Sequence, residues 1–229
     1  MTTGSSADEG ARASFRRGLG MGVPFGVVGF LISLSFSVLA MQAGFSTAQA
    51  IVTSVVVFAG SAQFAMLSVV TAGGGIPAAL TAAGLMNSRF LAMGVALAPS
   101  LPGGPLKRAA QGQANVDTSW ALASRGDGSF DRWLLFDITV PQYAMWTVGA
   151  VVGAAFGDAL GDTHRLGLDA IYPVFFLSLL IAELRDPASR PVAVTGGILA
   201  LVLVPITPPG VPILAASAVA LFGLVRRPA

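Results

Sequence analysis

The 229-residue chain contains no cysteine and one histidine, and only 10% of its residues are charged. Without cysteine there are no disulfides, no thiolate chemistry and no cysteine metal sites. With His164 alone in a polar connector, a histidine metal cluster is excluded too. No basic run resembles a nucleic-acid surface, so the net charge of +2 and the pI near 9.7 are read as topological information. Soluble domains carry roughly a quarter charged residues. Here the eighty-nine residues from Gly18 to Leu106 hold one ionisable group, Arg89. A soluble fold of this length could not cover so much apolar sequence, because its helices would lack polar faces. The polar head before Gly18 does not read as a cleaved signal, since the apolar stretch behind it is longer than a signal's and others follow. The expected fold class is all-α, a polytopic membrane protein.

Crossing the hydrocarbon core takes roughly 20 apolar residues in a helix. Seven candidate segments are present: Leu19–Met41, Phe45–Ala72, Ile76–Leu101, Trp133–Phe156, Leu168–Leu184, Pro191–Ile206 and Val211–Val225. The expected organisation is a cytoplasmic polar tail (1–18), a glycine-rich membrane region (19–101), a polar connector (102–132) and C-terminal membrane helices (133–229). In the connector Leu106, Ala109, Val116, Trp120 and Ala123 recur at helical spacing, which predicts a short cytoplasmic interfacial helix.

The lysines and arginines constrain how often the first region crosses. Twelve of the thirteen lie in tails and connectors. With a cytoplasmic N-terminus and an even number of crossings before Pro102, eleven of those twelve face inward and only Arg165 faces out. One of the first three apolar stretches is therefore expected to be re-entrant or broken in two. "GLGMGVPFGVVG" admits two readings: a break, with irregular backbone lining a wet cavity, or close packing through a Gly22–Gly26 pair. The ladder Gly149, Gly153, Gly157 and Gly161 reads as packing.

Arg89 lies about eleven residues from either end of "AALTAAGLMNSRFLAMGVALAPS", too deep to snorkel. A charge at mid-bilayer costs about 2.5–3.5 kcal/mol on insertion scales, and an arginine cannot escape by losing its proton. It should face the protein interior or water, paired with Asp117, Asp137, Asp169 or the carboxylate of a bound solute; an ion pair used only for packing is the alternative. Asn87, two residues before it, points roughly 200° away on a regular helix, so either the two serve different faces or "NSR" is a break. In "VVVFAGSAQFAML", Gly60, Ser61 and Gln63 interrupt an apolar run. An opened helix there would offer backbone amides and the Ser61 hydroxyl to a polar guest; otherwise Gln63 bonds a neighbouring helix. In "FDITVPQYAMW", Pro141 lacks the N–H that would engage the Asp137 carbonyl. That oxygen, the Asp137 carboxylate and Gln142 would form a polar notch, or merely anchor the interface. Asp169 reads as an N-cap and Glu183 as an end-of-helix charge.

"FAGSAQF", "NSRFLAMGVALAPSL", "VDTSWALA" and "LGLDAIYPVFFLSLL" together resemble the AzlC family of branched-chain amino acid exporters. The resemblance implies a multi-pass subunit of a prokaryotic inner membrane that exports valine, leucine, isoleucine and similar residues. It also implies a smaller AzlD-like partner subunit and proton coupling, with no cofactor and no metal. Two departures stand out: Phe90 where the family commonly has histidine after Asn-x-Arg, and Thr118 where it favours glutamate after Asp117. On this reading Gly60, Ser61, Gln63, Asn87 and Arg89 are the candidate substrate-binding residues for a small zwitterion. Asp117, Asp137 and Gln142 are the candidates for proton coupling or ion pairing. A channel or structural subunit is the alternative. An intramembrane enzyme is disfavoured, because no G-x-S-x-G or H-E-x-x-H motif is present.

Overall fold

A computed structural model describes residues 3–157 and 190–207 continuously, with isolated positions between 170 and 187 and between 211 and 219. The described residues are helical apart from loops and one isolated bridge, Ser124 to Phe130. The helices are α1 (Thr3–Gln42), α2 (Thr47–Val57), α3 (Gly60–Thr71), α4 (Ile76–Asn87), α5 (Arg89–Leu97), α6 (Pro105–Gly112), α7 (Asp117–Ala123), α8 (Arg132–Phe156) and α9 (Arg190–Leu203), with a 3₁₀ turn at Ala98–Ser100 after α5. Arg17–Gln42 and Ile76–Ser100 are long and apolar enough to cross a membrane. The 25 residues of α8 reach about 37 Å at 1.5 Å each, also enough to span. His164, Asp169 and Glu183, and most of the fifth and seventh expected segments, lie outside the described residues.

Helices α1 and α8 pack along their length through glycines. Gly18 lies against Asp137, Gly22 against Ile138 and Pro141, and Gly26 against Met145. Further along, Gly149 lies against the Phe30 backbone, Gly153 against Leu34 and Gly157 against Val38. Residue numbers rise together along both helices, so α1 and α8 run parallel. The N-terminal end of α1 and the connector before α8 therefore share one side of the molecule, as an even number of crossings between them requires. Of the two readings of the glycine-rich start, packing is the one realised: α1 continues through Pro24, and any side chain at Gly22 or Gly26 would meet α8.

The break falls instead in the second apolar stretch. Ser46 opens α2 with a capping box shared with Gln49. The helix ends at Phe58, whose left-handed backbone (φ 40°) is unusual for a bulky residue. Ala59 is extended, and α3 begins at Gly60. On one straight helix Ser54 and Gln63 would stand about 13 Å apart along the axis. Gln63 Nε2 in fact donates to Ser54 Oγ at 3.0 Å, so the chain doubles back. Ala50 of α2 and Phe64 and Leu67 of α3 join one cluster with Phe36 and Ala40, near the end of α1. Thus α2 descends from the side opposite the connector, turns at Phe58–Ala59 and climbs back as α3. It is a re-entrant pair. From there α3 packs on α4 through Ala65, Val69, Ala79 and Ala82, and α4 with α5 and the turn after it forms the second stretch long and apolar enough to cross a membrane.

A re-entrant tip leaves helix-end groups at membrane depth, where no water satisfies them. Two aromatics of α8 supply the partners: Trp146 Nε1 donates to the Ser54 carbonyl at 3.2 Å, and Tyr143 Oη donates to the Val55 carbonyl at 3.0 Å. Phe58 packs edge-on against both rings, with centroids 4.9 Å from Tyr143 and 5.6 Å from Trp146. The connector also departs from expectation. Its single expected helix is two short ones, α6 and α7, separated at residues 113–116. Thr139 Oγ1 and Ser119 Oγ both donate to the Ala114 carbonyl, at 2.7 and 2.8 Å, pinning this bend to α8. Ala123 and Phe130 pack on Leu97, Leu101 and Leu135.

Candidate functional site

The tip of the re-entrant pair and the start of α7 meet at a cavity of about 190 Å³. This is small beside the roughly 300–1,000 Å³ of sites that hold drug-sized ligands. Most of its polar groups come from three elements: Gly60 and Ser61 of α3, Arg89 of α5, and Asp117 with Thr118 of α7. Gln142 of α8 adds an amide. Phe25, Val28, Gly29 and Ile32 of α1, with Trp146 of α8, make the wall apolar elsewhere.

Arg89 is the hub. Its Nε donates to Asp117 Oδ1 at 3.1 Å and its Nη2 to Asp117 Oδ2 at 2.8 Å, a two-pronged ion pair of the kind that fixes both partners in orientation. Nη2 also donates to Ser61 Oγ at 3.0 Å, and the guanidinium lies 4.9 Å from the Phe90 ring centroid. The Arg89 side chain is 35% exposed and that of Asp117 58%, so the pair is open to a solute. No side chain caps the N-terminus of α3. Its first-turn amides have no intrahelical acceptor, and the helix dipole is positive there. Arg89 and the start of α3 thus give one part of the wall a positive character, and Asp117 sets a negative group beside it. Thr118 Oγ1 donates to Gln142 Oε1 at 2.8 Å, and Gln142 Nε2 to the Ile138 carbonyl at 3.1 Å, which holds α7 against α8.

Of the residues singled out from sequence, Gly60, Ser61, Arg89, Asp117 and Gln142 converge on this cavity; Gln63, Asn87 and Asp137 do not line it. Gln63 is fully buried and joins the two arms of the re-entrant pair through Ser54. Of the two readings of "NSR", the helix assignment has the junction, α4 ending at Asn87 and α5 beginning at Arg89; Asn87 stays off the cavity, its Oδ1 buried and unpartnered among the described residues. Asp137 is buried against Gly18, and no hydrogen bond joins it to Gln142, so the two do not form a joint notch. Of the three aspartates offered as partners for Arg89, Asp117 takes the place. Both positions that depart from the family pattern, Phe90 and Thr118, lie in the cavity wall.

Sequence reasoning missed the aromatic clasp of Phe58, Tyr143 and Trp146. A signal for it existed: a tyrosine and a tryptophan three residues apart in mid-span both carry a polar atom that needs a partner when buried.

The family model described as AzlC protein matches residues 24–160, a range that holds every residue of the cavity wall. A relative in Bacillus subtilis, named branched-chain amino acid transport protein AzlC, is 24% identical over 80% of this chain and 73% of its own length. A membrane protein of Archaeoglobus fulgidus is 26% identical over 82% of this chain and 84% of its own. The inner membrane protein YgaZ of Escherichia coli is 23% identical over 77% and 76% respectively. No solved structure matches. With the family model matching more than half its length, this chain belongs to the AzlC family of membrane transport proteins.

Proposed function

We propose that this chain exports amino acids with branched apolar side chains across a prokaryotic inner membrane, binding them as zwitterions at the cavity between α3, α5 and α7. One observation carries the reading: the Arg89–Asp117 ion pair, half open to the cavity, offers one charge of each sign within a hydrogen bond of the other. A zwitterion is the complementary object. Its carboxylate would take Arg89 and the first-turn amides of α3. Its ammonium would take Asp117, and its tail the wall of α1 and Trp146. The bound solute would then replace both halves of the protein's own ion pair, leaving no buried charge unmatched. The name of the Bacillus relative supports the branched side chain. Proton coupling through Asp117 or Asp137 and a small AzlD-like partner subunit belong to the same proposal, as does a cytoplasmic N-terminus. The last is supported by the basic residues Lys107, Arg108, Arg125 and Arg132, which share the tail's side.

The test is valine counterflow in proteoliposomes, with and without the neighbouring small membrane protein and with and without a pH gradient. Saturable counterflow that Arg89→Gln abolishes, in a protein that still inserts, is the expected outcome. Normal valine movement by that variant would return Arg89 to a packing role, and non-saturable flux would indicate a pore.

A further inference from the structure

We infer that Gly29 sets the largest side chain the cavity accepts, an inference that rests on the amino acid reading above. The glycines of α1 look alike in sequence but differ in what a side chain would meet. At Gly22 a Cβ would stand 2.5 Å from the Ile138 carbonyl oxygen, and at Gly26 2.5 Å from Met145 Sδ. At Gly22 the obstacle is backbone, so its smallness is a packing requirement; at Gly26 it is the end of the Met145 side chain, with the Pro141 carbonyl oxygen close behind at 3.3 Å. At Gly29 the only neighbour within 4 Å is the edge of the Trp146 ring, Cε3 at 3.4 Å, and no backbone atom of α8. A methyl group fits there at the inner limit of ordinary contact, so packing does not require glycine at this position.

What the missing side chain leaves is cavity. Gly29 forms part of the apolar wall with Val28, Ile32 and Trp146, whereas the ionic groups come from α5 and α7. A zwitterion held by Arg89 and Asp117 must lay its tail on the α1–Trp146 wall. That wall has little freedom to retreat, because the indole is tied through Nε1 to the Ser54 carbonyl and its ring packs edge-on against Phe58. Cores and pockets so constrained respond to a single added methyl. One methylene more or less in an apolar pocket changes discrimination by roughly 10- to 200-fold.

The experiment compares the wild type with Gly29→Ala, using Gly20→Ala as a control because nothing lies within 4 Å of a Cβ there. Counterflow is measured for alanine, valine and leucine, alongside the thermal stability of each purified protein. Gly29→Ala is expected to lower the leucine-to-alanine ratio of kcat/KM about tenfold or more. Its alanine transport should change by less than about twofold, and Gly20→Ala should shift neither. An unchanged ratio, or an equal loss for all three amino acids, would overturn the inference while leaving the transport reading in place. A Gly29→Ala protein that fails to fold would overturn it as well, since the clearance to Trp146 would then be a packing requirement. If the wild type moves none of the three, it is the amino acid reading that fails, and the role of Gly29 falls with it.

Discussion

Replacing Asp117 by asparagine separates the two charges of the site. The substitution keeps the side chain's shape but removes the negative charge that Arg89 meets at 2.8 and 3.1 Å. Two effects of opposite sign follow. For a zwitterion the ammonium loses a charged acceptor, and hydrogen bonds to charged groups contribute about 1.5–3 kcal/mol net. With the aspartate 58% exposed, the lower end applies, which is about a tenfold loss in affinity. For a ligand with only a carboxylate the sign reverses. In the wild type such a ligand competes with the Asp117 carboxylate for the guanidinium; in the variant Arg89 keeps Ser61, the more distant Met86 carbonyl and at most one neutral amide oxygen at position 117, so it is freer to bind an anion. The fold should tolerate the change at about 1–2 kcal/mol, between the small value of exposed pairs and the 3–5 kcal/mol of broken buried ones.

The assay is ligand-induced thermal stabilisation of the purified protein with valine, 3-methylbutanoate, which lacks the ammonium, and 2-methylpropylamine, which lacks the carboxylate. Asp117→Asn is expected to weaken valine and the amine while holding or strengthening the acid. A parallel loss for valine and the acid would refute the assignment of Asp117 to the ammonium. It would make the residue a prop for Arg89 alone.

Asp137→Asn is expected to leave valine exchange intact and abolish flux driven by a pH gradient, and normal pumping by this variant would take Asp137 off the proton path. Gly153→Val should lower the free energy of unfolding by about 1–3 kcal/mol in detergent denaturation, because its side chain would run into the Leu34 carbonyl; unaltered stability would contradict the close parallel packing of α1 and α8. Outside the membrane region Asp131 caps α8, its carboxylate accepting from the Trp133 and Leu134 amides at 3.1 Å each. Burial raises its pKa, but the Leu134 amide, the Arg125 guanidinium and the Trp133 amide together outweigh this and hold it below the usual carboxylate value. A lowered folded-state pKa means that the stabilisation is present above the unfolded value and is lost as pH falls through the folded one. Asp131→Ala should therefore cost about 1 kcal/mol at neutral pH and progressively less in acid, and a difference independent of pH would show that the charge plays no part.

How much of this was legible depended on whether a feature is local. Arg89 could be placed deep and inward-facing from its position alone, because neither snorkelling nor deprotonation was open to it. The even crossing number also came from the basic residues, and the parallel run of α1 and α8 agrees with it. Which stretch was re-entrant was not legible. Phe45–Ala72 is apolar throughout, and apolarity over 28 residues looks the same whether the chain crosses once or enters and returns. Only the Ser54–Gln63 bond, formed across the turn, distinguishes the two. The glycines of α1 suggested a break more strongly than "FAGSAQF" did, yet glycine allows close approach as readily as distortion, and the decision lay with α8, more than a hundred residues away.

Asp117 shows the same limit from the other direction. It sits in the most polar segment of the chain, where a carboxylate is expected to face water. What draws it to Arg89 is the bend at residues 113–116, closed by Ser119 at the Ala114 carbonyl and fastened to α8 by Thr139 at the same carbonyl and by Thr118 at Gln142. None of these ties is visible as a pattern, since serine and threonine in a polar connector carry no periodic signal. They have a consequence for the site. Ser61 rides on α3, packed on α4, whereas Arg89 opens α5, of which only Leu97 is buried, and its counter-ion rides on a seven-residue helix tied to α8 by the Thr118–Gln142 bond and by Ala123 against Leu135. Such a hydrogen bond contributes about 0.5–1.5 kcal/mol, little enough for solute binding to offset. The Arg89–Asp117 contact therefore joins two short helices across a junction that solute binding can open, on the side of the cavity that faces the connector.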